Sequence, residues 1–471
     1  MAGSVAASPT YALTPTATKV TTNTNYISSF AFANQYLPDL AEREFARYGN
    51  RSVASLLRMT SAEYPTNSDL VEWSEQGRLH IKYEGLTPSA ISSGTQLFTV
   101  ASGTVAYRLN QTVFLSGTNG SYQRGVISAV TSTTFTVSYY DLTTAASDPF
   151  GSGTVTSICY GSEFQKGSAG MSGTLESQNT FYTNKPINLK DNYSVTGSDM
   201  AQIGWVEVET DQGLGYLWYM KSQSETRQRF DDYLETSMVE AVPAIASSAA
   251  LSYLSPSTNS VLGSTAATTA AGTKGLFYEV QNRGNVWSGG NPTALSDWDS
   301  VIQRLDKQGN IQENVIFLNR QFGFDVDDML AAQNSYGAGG TSWGLFDNDE
   351  TMALNLGFTA FKRSYDFYKS DWKYLNDPTM RGGISAGGVN GILIPAGSTN
   401  VYDQVMGETV TRPYLHVRYR ASQTEDRRYK SWVTGSAGGV ATNDTDEMKV
   451  SFLSERCLCV LGANNFFIFQ N

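Results

Sequence analysis

The amino-acid sequence predicts an α+β fold built from extended parts, and three features predict it. Residues 215–242, "GYLWYMKSQSETRQRFDDYLETSMVEAV", read as one long amphipathic helix. Residues 86–162 form a block of short β runs separated by Gly and Asn turns. The last part of the chain returns to two-residue alternation, as in "PYLHVRYRAS" and "MKVSFLSERCLCVLGANNFFIFQN".

Taken in order, residues 1–36 carry one charge, Lys19, among many Thr, Asn and Ala residues. Such a segment cannot build a core and is expected to be an extended arm lying on something else. "PDLAEREFARYG", 38–49, has Pro at its start, acids in its first turn and Gly at its end, which predicts a short helix. Val53, Leu56 and Leu57 then follow at helical spacing. In "VEWSEQGRLHIKYE", 71–84, Leu79, Ile81 and Tyr83 alternate with Arg78, His80 and Lys82, which predicts a strand with one apolar and one cationic face. A return leg runs to "GWVEVETD", where Glu207 and Glu209 alternate with Val206 and Val208. That acidic leg is expected to pair with the cationic face of 78–82.

Between the two legs lies the charge-poor block, whose only charged residues are Arg108, Arg124, Asp141 and Asp148. Its turn spacing predicts a small all-β module inserted at the tip of a long hairpin. In the long helix, Phe230, Tyr233, Leu234, Met238, Ala241 and Val242 make one apolar stripe, and Pro243 ends it. Lys221, Glu225, Gln228, Arg229, Asp232, Glu235 and Glu240 cover the remaining faces. Residues 244–300 read as loop around a helix at 295–307, and "NVIFLNRQFGFDVDDMLAAQ" reads as strand, turn and helix. Further strands are expected in "LGFTAFKRSYDFYKS" and "NGILIPAG".

Hydrophobic residues make up 40% of the 471, enough for several cores, while charged residues are only 16%, against about 25% in an average globular chain. The net charge is −11 and no block of basic residues occurs, so tight nucleic-acid binding through phosphate neutralisation is not expected. No secretory leader and no apolar run long enough to cross a membrane is expected. Cys159, Cys457 and Cys459 fit no zinc spacing, and Cys457 and Cys459 share one strand face, so reduced structural thiols are expected.

Chemistry is sparse. The histidines are His80 and His416, neither with metal-ligand spacing around it. No Ser nucleophile elbow and no phosphate-binding Gly motif is present. "YGAGGTSWG", 336–344, reads as a loop. The acidic clusters "FDVDD", "DNDE" and "NDTDE" lack the calcium-loop pattern and read as helix first turns or solvated loops. The cluster "TEDRRYKSW", with Arg427 and Arg428, reads as a solvated or intersubunit loop. No catalysis, cofactor or metal is expected.

An arm, a projecting hairpin and a helix with two occupied faces cannot all bury their surfaces in one compact monomer. In this order the parts resemble those of a tailed-bacteriophage major capsid protein, the shell fold shared with herpesviruses. "DLVEWSEQGRLHIKY" resembles the outgoing strand of that family's E-loop, "GSEFQKGSAG" through "DNYSVTGSDMAQIGWVEVE" its return, and "YLWYMKSQSETRQRFDDYLETSMVEA" its spine helix. "GGVNGILIPAGSTNVYDQVMG" and "LSERCLCVLGANNFFIFQN" also look like segments of such proteins.

The resemblance implies an N-terminal arm and short helix over 1–60, an outgoing E-loop strand over 61–85 and an all-β insertion over 86–162. It further implies an E-loop return over 163–210, the spine helix of a peripheral domain over 211–250, and a mainly axial domain over 251–410. Peripheral and axial strands follow over 411–471. The implied role is self-assembly as hexamers and pentamers into an icosahedral shell that encloses double-stranded DNA without sequence-specific binding. Portal, scaffold or cement proteins are the implied partners, the virion is the implied location, with assembly in the host cytoplasm, and no membrane is involved.

The insertion is not part of that family's minimal fold, and the chain length and the insertion would suit a large phage of the crAss-like kind. Intersubunit contacts are expected at Trp73, Arg78, His80, Lys82, Glu207, Glu209, Glu225, Arg229, Arg427 and Arg428. The alternative is a β-rich phage surface or adhesin-type glycan-binding protein, suggested by Tyr107, Tyr122, Tyr139 and Tyr140 in the insertion.

Overall fold

The computed structural model describes residues 52–60, 62–143, 147–173, 179–201, 207–210, 213–245, 249–250, 272–309, 311–334, 359–384, 387–403, 408–437 and 441–470. The expected arm, the helix over 38–49 and the clusters at 336–344 and 347–350 lie outside these residues. The described chain is mixed α+β, with many strands and few helices.

The longest strand, Glu447–Val460, organises a five-stranded sheet. One edge pairs along its length with Ile187–Thr196. The other pairs first with Lys430–Gly435 and then with Leu415–Arg420. Ala62–Thr66 joins Leu415–Arg420 in parallel. Cys457 and Cys459 do share a buried face of the long strand, and they are free thiols. The hydrogen bond with the neighbouring Cys459 thiol, and then burial, raise the pKa of Cys457.

A six-stranded mixed sheet runs in the order Asn285–Trp287, Phe467–Gln470, Val389–Pro395, Glu313–Leu318, Tyr365–Asp371, Ala360–Arg363. Its strand "VNGILIP" is buried at all seven positions because both sheet faces are covered. One face packs in the principal core with Met238, Phe277, Trp372, Leu458 and Phe466. The other packs Leu295–Gln308 and Arg320–Asn334 through Trp298, Leu305, Phe322 and Val326.

The charge-poor block closes into a six-stranded barrel, in the order Lys82–Pro88, Thr95–Thr99, Thr134–Tyr139, Tyr122–Val130, Gln111–Gly117, Val155–Ser162. Closure leaves no open sheet edge. Its core, which includes Leu86, Phe98, Tyr107, Val113, Phe135 and Val155, draws every member from residues 81–159. Buried polar groups inside are paired: the Tyr107 hydroxyl lies 3.0 Å from Ser157 Oγ, and Gln96 Nε2 donates to Ser89 O and Asp148 Oδ1. Gly125 is required where two strands close on each other, since a Cβ there would sit 2.4 Å from Val137 Cγ1.

Three expectations are corrected. The strand expected across 71–84 is broken. Val71–Gln76 pairs with Asn179–Asn184, residues 77–81 leave the ladder, and Lys82 starts a barrel strand. The acidic leg Glu207–Thr210 pairs with Gly213–Tyr216, not with 78–82. Gln76-Gly77 interrupts the alternation, and Gly213–Tyr216, close by in sequence, is a nearer partner for the acidic leg than the distant strand. Residues expected to be loop contain a helix, Leu276–Arg283, set between Gly275 and Gly284 and packed through Leu276, Phe277 and Val280. Its eight residues are too short for periodicity to stand out.

The long helix runs Leu217–Glu240, about 36 Å at 1.5 Å per residue. Phe230, Leu234 and Met238 are buried as expected, with Phe230 against Phe452 at 5.8 Å and Tyr429 at 5.4 Å. Tyr233 and Val242 are exposed instead. The buried side includes Thr226, Asp232, Glu235 and Val239, so this face is partly polar. "FDVDD" lies in the middle of its helix, not in a first turn.

The two faces of the long helix predict opposite outcomes. Phe230→Asp would bury an unpaired carboxylate at a cost of roughly several kcal/mol and leave the chain insoluble. Tyr233→Asp should change stability by no more than about 0.5 kcal/mol. Soluble yield and chemical denaturation of both variants check this.

Candidate assembly surfaces and their anchors

The hairpin that leads to the barrel is held against the body near the outer end of its ladder by Glu75. Its Oε1 accepts from Trp73 Nε1 at 3.1 Å, from Arg283 Nη1 at 3.1 Å and from the Gly462 amide at 3.0 Å. Arg283 also donates to Glu279 Oε2 at 2.5 Å and to Val460 O at 3.0 Å. Its guanidinium lies 3.9 Å from the Tyr182 ring centroid, on the opposite hairpin strand. Burial alone would depress the Arg283 pKa, but Glu279 and Glu75 outweigh it and raise it. Next to this node, buried Asn184 satisfies both ends of its amide. Nδ2 donates to Lys274 O and Leu458 O, and Oδ1 accepts from Lys274 N and Thr273 Oγ1.

The opposite face of the hairpin is open to solvent: Phe181, paired with Ser74 between Asn184 and Glu75, is 65% exposed. Trp73 is half-buried beside Tyr182, Cys457 and Cys459. Arg78 donates to Lys307 O, Lys82 pairs with Glu84, and His80 is exposed. Glu207 and Glu209 stand on the short hairpin described above, and only their backbone is described.

The long helix is docked by its own carboxylates. Asp232 Oδ1 accepts from Ser52 Oγ at 2.8 Å, Val53 N at 3.0 Å and Ala54 N at 3.2 Å. Glu235 Oε1 accepts from Ser55 N at 2.9 Å and Leu56 N at 2.8 Å. These amides open the helix Leu56–Thr60 and have no partner within it, so the neighbouring helix supplies the cap. At the far end Glu240 accepts from the Tyr374 hydroxyl at 2.8 Å and pairs with Arg381 at 3.0 Å.

Glu225 is half-buried, and Arg229 is exposed and pairs with Asp191 at 3.0 Å. Arg427 pairs with Glu455 at 2.9 Å, and Arg428 pairs with Glu63, which also meets buried Arg456 at 3.2 Å. Thus Arg229, Arg427 and Arg428 each have a carboxylate partner within the chain. Arg428 also borders a cavity of about 670 Å³ lined by Arg58, Glu63, Asp231, Glu235, Asp426 and Arg456 among others.

His416 is buried, not at the surface, edge-on to Tyr64 at 5.5 Å and opposite Cys459 in register. Among the described residues no cluster of His, Cys, Asp or Glu is arranged to hold a metal ion. No helix among them is long and apolar enough to cross a membrane. Sequence reasoning missed Glu75, Tyr182, Asn184 and Arg283. Trp73 and Glu75 stand two apart on one strand face, which was the available signal. Their partner belongs to the helix that short length concealed.

No protein-family model and no curated protein sequence matches the chain. Among solved structures it is similar to a capsid structure of the cyanophage P-SCSP1u, with 8% identity and a TM-score of 0.42 over 97% of this chain and 98% of the other. A structure from Mycobacterium phage Ogopogo has 11% identity and a TM-score of 0.41, over 94% and 99% of the two chains. The mature capsid of bacteriophage PhiM1 has 8% identity and a TM-score of 0.40, over 92% and 91%. At these scores the likeness carries no inference about this chain.

Two predictions come from the anchors. Burial, partly offset by the backbone amides it accepts from, raises the Glu235 pKa above its ordinary value. Its stabilising contribution is therefore complete below the ordinary carboxyl pKa and is lost as pH rises through the raised value. Glu235→Gln keeps an acceptor without the charge. It should match wild type near pH 4 and equal or exceed it at pH 7, whereas Glu235→Ala should lose about 1–3 kcal/mol at both. Denaturant titrations at the two pH values decide. Separately, Arg283→Ala should lower the local opening free energy of the hairpin by about 2–3 kcal/mol. Hydrogen exchange should then accelerate at 71–76 and 179–184 but not in the middle of Glu447–Val460.

Proposed function

We propose that this protein is a structural shell subunit, the major capsid protein of a tailed phage, that assembles through copies of itself. One observation carries the reading. A two-stranded hairpin, fastened to the body by Asn184, Glu75 and Arg283, leads into a closed barrel whose core is entirely its own. A monomer gains nothing from such a separate unit, whereas a lattice gains a second point of attachment. The sequence resemblance supplies the finer picture. In it the hairpin is an E-loop with an inserted barrel, Leu217–Glu240 is the spine helix, and copies form hexamers and pentamers of an icosahedral shell around double-stranded DNA. The acidic balance of the chain, net −11, suits a lining that does not grip DNA during packaging or release.

On this reading Trp73, Arg78, His80, Lys82 and the charged residues of the long helix lie where neighbouring copies meet. The role is structural and not catalytic, the virion is its place, and portal, scaffold or cement proteins are its companions. Negative-stain electron microscopy of the purified full-length chain, alone and with co-expressed phage proteins, should show shells, tubes or rings. A monodisperse monomer under all these conditions would falsify the proposal.

A further inference from the structure

The outer face of the barrel carries a regular grid of side chains. Strand register places Tyr122, Ser116 and Thr156 in one row across three strands, and Arg124, Phe114 and Ile158 in the next. All six point outward, because their strand neighbours Leu115 and Ser157 are fully buried. Tyr122 is 60% exposed and Ile158 41%. The Phe114 and Tyr122 rings lie 6.0 Å apart at 22°, and the Arg124 guanidinium sits 5.6 Å from one and 5.9 Å from the other. Tyr122 is thus exposed and Phe114 half-buried, their rings stacked on each other with the planar Arg124 cation over both, and Ser116 and Thr156 complete the row beside Tyr122. The structure separates the four tyrosines that drew attention in the sequence. Tyr107 and Tyr139 are core residues, while Tyr122 and Tyr140 are exposed.

We infer that this face is a carbohydrate-binding platform, a function beyond the shell role. A pyranose presents an apolar C–H face and a rim of hydroxyls. The grid offers the complement: ring faces to stack on, with Ser116, Thr156 and Arg124 as hydrogen-bonding partners at the edges. Three strands span about 10 Å, the width of about two sugar rings. The block from 86 to 162 carries only four charged residues, so the ligand is a polysaccharide recognised by stacking and hydroxyl contacts, not by charge attraction. A second copy of this chain is the competing occupant, since Tyr, Phe and Arg are also enriched in protein interfaces, and particle formation by the variants separates the two.

The test is affinity electrophoresis of the full-length protein in gels containing hydroxyethyl cellulose, xylan, laminarin, dextran or pectin. Wild type should be retarded by at least one of these. Tyr122→Ala and Arg124→Ala should weaken that retardation at least tenfold, and Tyr368→Ala, an exposed tyrosine on the six-stranded sheet, should not. Retardation by none of the five, or equal retardation of Tyr122→Ala and wild type, overturns the inference. So does a Tyr122→Ala variant whose only defect is in forming particles, since the face would then be a contact between copies. Particle formation by wild type is scored separately, so the shell proposal stands or falls without this result.

Discussion

Two carboxylates that cannot reach bulk water set the beginning of the described fold. Asp232 and Glu235 lie on the buried side of a helix, where an unpaired charge costs far more than a hydrogen bond returns. Both are matched by the same short piece of backbone, Val53 to Leu56, whose amides have no partner in their own helix. Each side therefore satisfies polar groups of the other, although the second Glu235 oxygen, Oε2, stays buried without a hydrogen-bond partner among the described residues. Once that piece is seated, Leu56 and Leu57 enter the principal core and the chain continues directly into Ala62–Thr66. That strand pairs in parallel with Leu415–Arg420, which pairs with Glu447–Val460. Segments more than 350 residues apart are joined because a helix face is polar where an apolar one was expected.

The same logic recurs where the hairpin meets the body, with a different consequence. Glu75, Arg283 and Asn184 concentrate their hydrogen bonds within a few residues, and each reaches the end of the long central strand or the turn after it. Along the hairpin itself few side chains are fully buried, Val71 and Asn184 at its inner end among them. The barrel at its tip is stabilised from within by stacked Phe98 and Phe135 and by Tyr107. Firm attachment and an independent tip are thus two separate results, one polar and local, the other apolar and closed on itself. A hairpin with its apolar residues spread along its length would instead collapse onto the body.

What was legible in the sequence was periodicity. The barrel strands, the long helix, "NGILIP" and the C-terminal strands were readable because each repeats a two- or 3.6-residue pattern over enough residues. What was not legible depended on partners far away in the chain. Tyr233 fits the apolar stripe by spacing, yet it faces solvent, because the helix turns its Asp232 and Glu235 side inward to meet residues 52–56. The cationic alternation of 78–82 promised a cross-strand partner, but a nearer strand took the acidic leg. Helix Leu276–Arg283 hid in eight residues, and with it the arginine that fastens the hairpin. Of the residues proposed for contacts, spacing marked Trp73, and only the fold showed that Glu75 beside it fastens the hairpin.

The pairing of charges within the chain bears on how copies would hold one another. Arg229, Arg427 and Arg428 already face Asp191, Glu455 and Glu63. An exposed ion pair that exchanges one carboxylate for another gains little, because such pairs contribute at most about 1 kcal/mol and salt screens them. Contacts between copies must then draw on what remains unpaired and apolar at the surface. Such groups include Phe181 on the hairpin, Leu79 between hairpin and barrel, and Tyr233 on the outer side of the long helix, all substantially exposed. They stand on the parts that leave the body or line its edge. A chain with few charges, several of them already matched in these networks, is suited to association by shape and burial more than by charge attraction.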